Sequence, residues 1–239
     1  MKLEILSSRE ELARAAASYF VEQGVAAVGQ RGLFTVALSG GSTPRILYEL
    51  LADPNEPFRE RVPWANSHFF WSDERHVPPD HPDSNYRMAN EALLSRVPVP
   101  QSNVHRVLSE NPDAGEAGRA YEETLIEVTK ETLPRLDLIL LGLGNDGHTA
   151  SIFPGSDVLR ETTRLVAAPW VEKLNSYRIT MTLPLLNNGE SVLFLVSGAE
   201  KAEIVKAVLE GPEIYPAQAV KPTNGQLIWM LDRFAAKEE

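Results

Sequence analysis

Two patterns of hydrophobic and polar residues alternate along the chain. Short apolar runs predict buried strands, whereas apolar residues that recur every three or four positions predict amphipathic helices. Strands are predicted at 3–6, 33–38, 68–71, 104–107, 136–141, 165–168, 178–182, 191–196 and 227–231. Helices are predicted between Ser8 and Gly32, from Pro44 to Leu51, and at 88–94, 113–133 and 199–209.

Strands that alternate with helices indicate the α/β fold class, in which a mostly parallel sheet is covered by helices on both faces. The segment between Trp71 and Asn85 is predicted to be a polar loop. No Gly/Ser linker, internal repeat or low-complexity tract interrupts the pattern. We therefore expect residues 1–239 to form one domain.

The composition excludes several classes of function. A net charge of −10 and a pI near 5.1 argue against nonspecific binding to nucleic acid or to an anionic membrane. The absence of cysteine excludes disulfides, thiolate metal sites and cysteine nucleophiles. Charged residues interrupt the N-terminal apolar run, and no apolar stretch reaches about 18 residues, so neither a signal peptide nor a membrane span is expected. The expected class is a soluble, cytoplasmic protein.

The first candidate site is the turn Ser-Gly-Gly-Ser-Thr-Pro at 39–44, which joins a strand to a helix. Its proline suits the first helical position. N–H groups at a helix start bind phosphate, and Gly40 and Gly41 let the backbone of Ser42 and Thr43 approach an anion. The Walker A spacing is absent, so the expected anion is a phosphate ester on a small metabolite. A plain strand-to-helix turn with a capping residue explains the spacing equally well.

The most informative stretch follows the apolar run at 138–141. Three glycines, an acid and a histidine lie within 142–148. A loop of this kind is expected at the carboxyl edge of the sheet, where α/β folds bind ligands. Histidine moves protons near neutral pH, so His148 is the candidate general base and Asp146 the group that orients it. The alternative is a loop histidine held by a structural hydrogen bond.

The same loop satisfies G-x-G-x-x-G through Gly142, Gly144 and Gly147. A dinucleotide site requires a helix directly after the third glycine. Pro154 and Gly155 break any long helix there, which argues against NAD binding.

Charged residues follow two other predicted strands. The guanidinium of Arg75 suits a phosphate and Asp73 suits acid–base work, although a solvated charge run explains 71–76 more simply. Lys201, in the first turn of a predicted helix, can reach an anion at the sheet edge. The histidines lack HExxH or a similar metal spacing, and the absence of a G-x-S-x-G elbow argues against a serine hydrolase.

Together these segments resemble the 6-phosphogluconolactonase family. The matching stretches lie in the family's order at 38–44, 71–75, 84–86, 142–151, 197–198 and 201. The wider group with this fold includes glucosamine-6-phosphate deaminases and ribose-5-phosphate isomerases. The resemblance implies a three-layer, Rossmann-like, mostly parallel sheet flanked by helices, similar to the sugar-phosphate isomerase and deaminase fold.

The resemblance also implies an activity, namely hydrolysis of 6-phospho-D-glucono-1,5-lactone to 6-phospho-D-gluconate in the oxidative pentose phosphate pathway. In this hypothesis the 40–43 backbone, Arg75 and Lys201 hold the phosphate. His148 activates water, and Asp146 orients the His148 ring. Loop N–H groups near the catalytic pair receive the oxyanion, with residues 144–147 as candidates.

Neither a metal nor an organic cofactor is required for this reaction. The implied partner is a small phosphosugar lactone, without nucleic acid or membrane. A weak association with glucose-6-phosphate dehydrogenase is left open, as is the choice between a monomer and a small homo-oligomer.

Two alternatives to a lactonase stay open from the sequence. The deaminases share the Asp-Gly-His core, but their pattern carries a glutamate five residues after the histidine as part of an acid–base relay. Here that position is Phe153, which cannot transfer protons, and the continuation at 149–154 resembles the lactonases. A non-catalytic sugar-phosphate sensor would need the phosphate loop but neither Asp146 nor His148.

Overall fold

The structure, a computed structural model, describes residues 1–237 and contains a six-stranded sheet and a smaller four-stranded sheet. Each strand is short and most are fully buried, as the apolar runs predict. In chain order the strands are β1 (Lys2–Leu6), β2 (Phe34–Leu38), β3 (Ser67–Trp71), β4 (Asp73–Arg75), β5 (Leu138–Leu141), β6 (Val166–Ala167), β7 (Trp170–Val171), β8 (Ser176–Met181), β9 (Ser191–Val196) and β10 (Gln226–Asp232).

The large sheet has the strand order β1-β10-β9-β5-β2-β3, and all of its pairs are parallel. This arrangement confirms the predicted α/β class. The order places β5 between β2 and β9, although the three strands are far apart in sequence. Because parallel strands end at the same edge, the loops that follow β2, β5 and β9 meet there.

In the described part of the chain, six α-helices accompany the strands. The hydroxyl of Ser8 caps the first helix by accepting from the Glu11 N–H, and Gly32 ends it in the left-handed region at φ +78°. Within residues 1–237, no helix is both long enough and apolar enough to cross a bilayer. The helices are α1 (Arg9–Arg31), α2 (Ser42–Ala52), α3 (Asn85–Ala92), α4 (Ala114–Thr129), α5 (Leu183–Leu186) and α6 (Ala202–Glu210).

Two hydrophobic cores lie on opposite faces of the large sheet. Alternate residues of β2 pack into different cores. Val36 and Leu38 pack with residues of α1 and α2, whereas Ala37 packs with residues of α4 and α6. This alternation follows from the period of two in a strand. The sheet is therefore covered on both faces, as predicted.

The smaller sheet corrects the predicted topology. The segments predicted as strands at 165–168 and 178–182 form β6 and β8, which pair antiparallel with each other, and β8 also pairs antiparallel with β4. The predicted polar loop after Trp71 therefore begins with a strand. β4 consists of three charged residues, Asp73–Arg75, and such a strand has no apolar run by which to recognise it.

Several predicted elements also differ from the observed ones, including α3 and α6, whose predicted bounds were 88–94 and 199–209. Residues 104–107 form no strand, because Val104 makes only an isolated bridge to Phe69. Pro44 is the third residue of α2 instead of the first, which remains harmless because N–H groups of the first turn lack helical partners. α4 ends before Lys130, which adopts a left-handed conformation at φ 60°, so the helix does not reach Leu133.

Candidate active site

The loops after β2, β5 and β9 open on a cavity of about 840 Å³ at the carboxyl edge of the large sheet. Residues of β4 and β8 form a further wall. Open α/β sheets bind ligands at this edge. Every residue predicted for the site lines this cavity: Gly40, Gly41, Ser42, Thr43, Arg75, Asp146, His148 and Lys201.

The turn after β2 has the geometry of an anion-binding helix start. Gly41 caps α2 at φ +105°, a backbone conformation that favours glycine. The first helical hydrogen bond runs from the Arg45 N–H to the Gly41 carbonyl at 3.2 Å. Within the described residues, the N–H groups of Ser42 and Thr43 have no protein acceptor, and both residues line the cavity. Free N–H groups and the helix dipole together favour a phosphate at this position.

Ser39 adds a hydroxyl that we did not predict as a binding group. Its backbone N–H and carbonyl are both hydrogen-bonded to the Tyr48 hydroxyl, at 3.0 and 2.9 Å. Its side-chain oxygen is buried, and among residues 1–237 it has no hydrogen-bond partner. Since buried polar atoms are normally paired, this hydroxyl is an exception on the wall of the cavity.

Two arginines face the cavity from neighbouring strands. Arg75 on β4 is the register partner of Arg178 on β8, and both line the cavity. Each guanidinium donates to a backbone carbonyl, Arg75 to Asp83 at 2.5 Å and Arg178 to Tyr177 at 3.0 Å. Burial lowers the pKa of Arg178, and the positive charge of Arg75 lowers it further. Like charges on paired strands repel each other, so this wall favours an anion.

Glu74 is the buried anchor of the same wall, with 1% of its surface exposed. Its carboxylate accepts hydrogen bonds from the N–H groups of Arg75, Asn85 and Tyr86 at 2.7 to 2.8 Å, and from the Ser84 hydroxyl at 3.0 Å. Burial raises the pKa of Glu74, and the backbone hydrogen bonds oppose that rise. The carboxylate thereby joins β4 to the start of α3 and holds Arg75 at the cavity.

Asp73 connects this wall to two other parts of the site. Its buried carboxylate accepts from the Ser151 hydroxyl at 2.6 Å and from the Asn85 side-chain amide at 3.2 Å. The Asn85 side chain also fills the space that a Cβ at Gly40 would need. Because both oxygens of Asp73 are hydrogen-bonded, this carboxylate suits a positioning role better than proton transfer.

Asp146 and His148 form a hydrogen-bonded pair in the loop after β5. The Asp146 carboxylate contacts Nδ1 of the imidazole and accepts from the His148 backbone N–H at 3.2 Å. Among residues 1–237, no group pairs with Nε2 of this ring. A Cβ at Gly144 would collide with the imidazole, so only glycine allows this close approach. The ring is thus held at Nδ1, which leaves Nε2 to accept a proton.

The prediction that N–H groups of 144–147 receive an oxyanion is wrong for the two glycines. The Gly144 N–H donates to the His148 carbonyl at 2.8 Å, and the Gly147 N–H donates to the Gly144 carbonyl at 2.9 Å. Both groups are therefore used by the tight turn itself. Within residues 1–237, the N–H groups of Asn145 and Asp146 have no protein acceptor, and these two stay candidates.

Lys173 enters the site from the loop between β7 and β8. Its ammonium contacts the second oxygen of Asp146 and lies 4.4 Å from the centre of the Phe153 ring. The Phe153 ring in turn lies 4.3 Å from the His148 ring, centre to centre. Burial raises the pKa of Asp146, but hydrogen bonds from Lys173 and His148 outweigh burial and hold the pKa well below its usual range. Asp146 is therefore an ionised carboxylate at neutral pH.

Lys201 ties the turn after β9 to the loop after β5. It ends the short 3₁₀ turn Ala199–Lys201 and directly precedes α6. Its ammonium donates to the Leu143 carbonyl and to the Asn145 side-chain oxygen, both at 2.7 Å. Burial lowers the pKa of Lys201, and nearby acidic groups oppose that effect. The cation is held beside the catalytic loop, on the wall of the cavity.

The glycine-rich loop lacks the helix of a dinucleotide-binding motif. After Gly147 the described chain forms turns until the short 3₁₀ segment Asp157–Arg160. Ala150 adopts φ +47°, which is uncommon for a residue with a side chain. Within the part of the chain that the structure describes, no three His, Cys, Asp or Glu side chains are grouped to hold a metal ion.

Sequence reasoning missed two residues of the cavity and assigned no role to a third. Ser39 directly follows a predicted strand, and that position was the available signal. Arg178 opens a predicted strand, but only the β4–β8 pairing shows that it lies beside Arg75. Lys173 lies 27 residues from Asp146 in a segment without a motif, so the sequence held no signal for it.

The parallel sheet and the polar cavity at its carboxyl edge place the chain among α/β proteins with an enzyme-like site for a small anion. The family of glucosamine-6-phosphate isomerases and 6-phosphogluconolactonase matches residues 7–229. The chain belongs to this family, which confirms the predicted resemblance.

Individual relatives agree with this assignment. A 6-phosphogluconolactonase of Synechocystis sp. is 43% identical over 217 residues, which are 88% of this chain and 87% of that protein. The structure of 6-phosphogluconolactonase from Trypanosoma brucei matches with a TM-score of 0.85 at 31% identity, over 99% of this chain and 97% of that chain. A monomeric glucosamine-6-phosphate deaminase has a TM-score of 0.82 over 100% of both chains, but at 22% identity it shares the fold alone.

Proposed function

We propose that this chain hydrolyses 6-phospho-D-glucono-1,5-lactone to 6-phospho-D-gluconate, a step of the oxidative pentose phosphate pathway. One observation carries the proposal: the Asp146–His148 pair shares its cavity with the helix start at 40–43. A proton acceptor and a phosphate-binding turn in one cavity suit a phosphorylated ester. The names of the similar proteins from Synechocystis sp. and Trypanosoma brucei support the same reaction.

The surroundings of His148 favour lactone hydrolysis over deamination. Ring opening with loss of an amine needs several proton transfers, whereas lactone hydrolysis needs one activated water. Phe153 occupies the position of the deaminase glutamate, and its ring packs against the imidazole at 4.3 Å. This ring offers no second group for proton transfer. A non-catalytic sensor would have no need for the Asp146–His148 pair.

The phosphate is bound at the end of the cavity formed by α2 and the arginines. The N–H groups of Ser42 and Thr43 receive it, and the guanidinium of Arg75 supplies positive charge and planar donors. Arg178 strengthens the same positive wall, and Lys201 adds a cation near the catalytic loop. Holding the far end of the sugar positions C1 against the imidazole, which lowers the entropic part of the barrier.

The chemical step is a general-base hydrolysis. Nε2 of His148 takes a proton from water as the water oxygen bonds to C1, and the carbonyl oxygen becomes an oxyanion. Asp146 stabilises the imidazolium that forms. Collapse of the oxyanion breaks the bond between C1 and the ring oxygen, which receives the proton from His148. The new carboxylic acid then loses its proton to solvent. The N–H groups of Asn145 and Asp146 are the loop donors we assign to the oxyanion.

Competing substrates test this function. The lactone is generated in situ from glucose 6-phosphate and its dehydrogenase, and its loss is followed above the spontaneous hydrolysis. In parallel, ammonia release from glucosamine 6-phosphate is measured with the same protein. We expect faster lactone loss and no ammonia. Ammonia release without faster lactone loss would contradict the proposal and favour a deaminase.

We further propose that the reaction takes place in the cytoplasm and that the protein works as a monomer or small homo-oligomer. The net charge of −10 supports a freely diffusing protein without nucleic-acid partners. Sedimentation velocity with and without glucose-6-phosphate dehydrogenase measures both the oligomeric state and the weak association left open by the sequence. A heavier species that forms only in the mixture would establish the association.

A further inference from the structure

The two oxygens of the Asp146 carboxylate contact two different side chains, and the mechanism above uses only one of them. One oxygen contacts the His148 ring, and the other contacts the Lys173 ammonium. We infer that Lys173 is a positioning residue that shares the Asp146 carboxylate with His148, and that its positive charge opposes protonation of the base. The inference rests on the proposed function, since it concerns the base of that reaction.

The hairpin β7–β8 fixes Lys173 in this place. Trp170 pairs with Tyr177 and Val171 pairs with Ser176, and the aromatic rings of the first pair lie 5.0 Å apart. Val171 is buried, while the Trp170 and Tyr177 side chains face outward. Lys173 lies in the short 3₁₀ turn Glu172–Leu174 at the tip. The hairpin thus brings the Lys173 side chain to the Asp146 carboxylate.

The Phe153 ring lies next to both the His148 ring and the Lys173 ammonium. Its centre lies 4.3 Å from the His148 ring centre and 4.4 Å from the Lys173 ammonium. A cation over an aromatic face is attracted by the ring, so Phe153 gives Lys173 a second partner besides Asp146. The ring also excludes water from this side of the imidazole, which strengthens the electrostatic interaction between the charged groups.

The direction in which the Lys173 charge changes the proton affinity of His148 follows from the carboxylate that the two side chains share. An aspartate alone beside His148 would stabilise the imidazolium and raise its pKa. The positive charge of Lys173 offsets that stabilisation, because it neutralises Asp146 and repels a second positive charge nearby. Removal of the Lys173 charge should therefore favour the protonated form of the base, while Asp146 still orients the ring. Lys173 is about half exposed, so solvent limits the size of the effect.

Substitution of Lys173 changes one charge near the imidazole and leaves the other charged side chains in the sequence. The hairpin itself adds Glu172, whose carboxylate accepts from the Trp170 indole at 2.8 Å. A comparison between variants at Lys173 therefore isolates this one charge. The remaining charged groups that line the cavity with His148 are Asp73, Arg75, Asp83, Asp146, Arg178 and Lys201.

The pH profile of kcat/KM tests the inference. Lys173→Met keeps the length of the side chain and removes its charge, and Lys173→Arg restores the charge. We expect the acid-limb pKa of Lys173→Met to rise by about half a pH unit, with activity recovered at higher pH, and that of Lys173→Arg to return toward the native value. The phosphate of the substrate titrates identically in all variants. Lys221→Met is the matched control, because Lys221 pairs with Glu213 at an exposed position outside the cavity.

A spectroscopic titration makes the test independent of turnover. The NMR signals of the His148 imidazole, assigned with His148→Gln, are followed against pH in the native protein and in Lys173→Met. A higher pKa in Lys173→Met supports the inference even if the native protein fails to hydrolyse the lactone, a failure that would overturn only the proposed function. An unchanged or lower pKa of His148 in folded Lys173→Met would overturn the role of Lys173.

Discussion

The hydroxyl of Ser151 donates a hydrogen bond of 2.6 Å to the carboxylate of Asp73, across 78 residues of sequence. Ser151 belongs to the loop after β5, which carries the catalytic pair, and Asp73 belongs to β4, which carries Arg75. The contact is buried, and it joins the wall that carries Arg75 to the loop that carries Asp146 and His148. The Ser151 backbone N–H also donates to the Thr180 hydroxyl on β8 at 3.1 Å, so two polar contacts of one residue join the loop to this wall.

Loss of this contact is expected to cost stability and activity together. Ser151→Ala leaves the buried Asp73 carboxylate with one donor fewer, so the free energy of unfolding should fall by about 1–3 kcal/mol. The value of kcat/KM should fall as well, because the catalytic loop is less well positioned. Urea denaturation and steady-state kinetics measure both effects. Ser102→Ala, at an exposed position, is the matched control. A Ser151→Ala protein as stable as the native protein would show that the contact carries no energy.

Arg75 is expected to act in binding more than in chemistry. Arg75→Ala should raise KM by about 10- to 100-fold and change kcat little, because the phosphate is held equally in the ground state and the transition state. Steady-state kinetics with the lactone separate the two constants. Arg87→Ala serves as the control, since Arg87 pairs with Glu91 on the surface of α3. An unchanged KM for Arg75→Ala would contradict the role of Arg75 in binding the phosphate.

A histidine pair remote from the cavity is expected to make stability depend on pH. Nδ1 of His68 lies 3.0 Å from Nε2 of His105, and the His105 ring stacks on Phe70 at 4.8 Å. Burial lowers the pKa of His68, and burial together with His68 lowers the pKa of His105 to about 4. In the unfolded chain both groups return to about 6.5. Between these values the unfolded state binds more protons, so stability should decrease as the pH falls from about 6.5 to about 4.

This dependence can be measured by urea denaturation at several pH values. Carboxylates titrate in the same range, so the informative quantity is the difference between the native protein and His105→Gln, which cannot titrate at this position. The unfolding free energy of His105→Gln should change less between about pH 6.5 and 5 than that of the native protein. Equal slopes for the two proteins would contradict a neutral, half-buried pair.

The residues of the site that could be predicted from sequence share one property. The turn at 40–43 and the Asp146–His148 pair each follow a buried strand of the parallel sheet directly. A strand fixes where its following loop begins, and parallel strands end at a common edge. Local sequence was therefore enough to place these groups together, and the cavity contains all of them.

The parts that could not be predicted depend on pairing between distant short strands. β4 has three residues and β7 has two, so neither shows a periodic pattern, and both are held by pairing with β8. This pairing sets Arg178 beside Arg75 and brings Lys173 to Asp146. Contacts of this kind follow from tertiary structure, and propensity or periodicity in one segment does not reveal them.

The most direct test of the proposed mechanism compares the native protein with His148→Ala on lactone generated in situ, after subtraction of the spontaneous hydrolysis. His81→Ala, at a loop histidine that does not line the cavity, controls for nonspecific effects, and thermal unfolding verifies that each variant is folded. We predict rapid hydrolysis by the native protein and by His81→Ala, and a loss of about 10²- to 10⁴-fold in kcat for His148→Ala. An unchanged kcat in folded His148→Ala would contradict the assignment of His148 as the base.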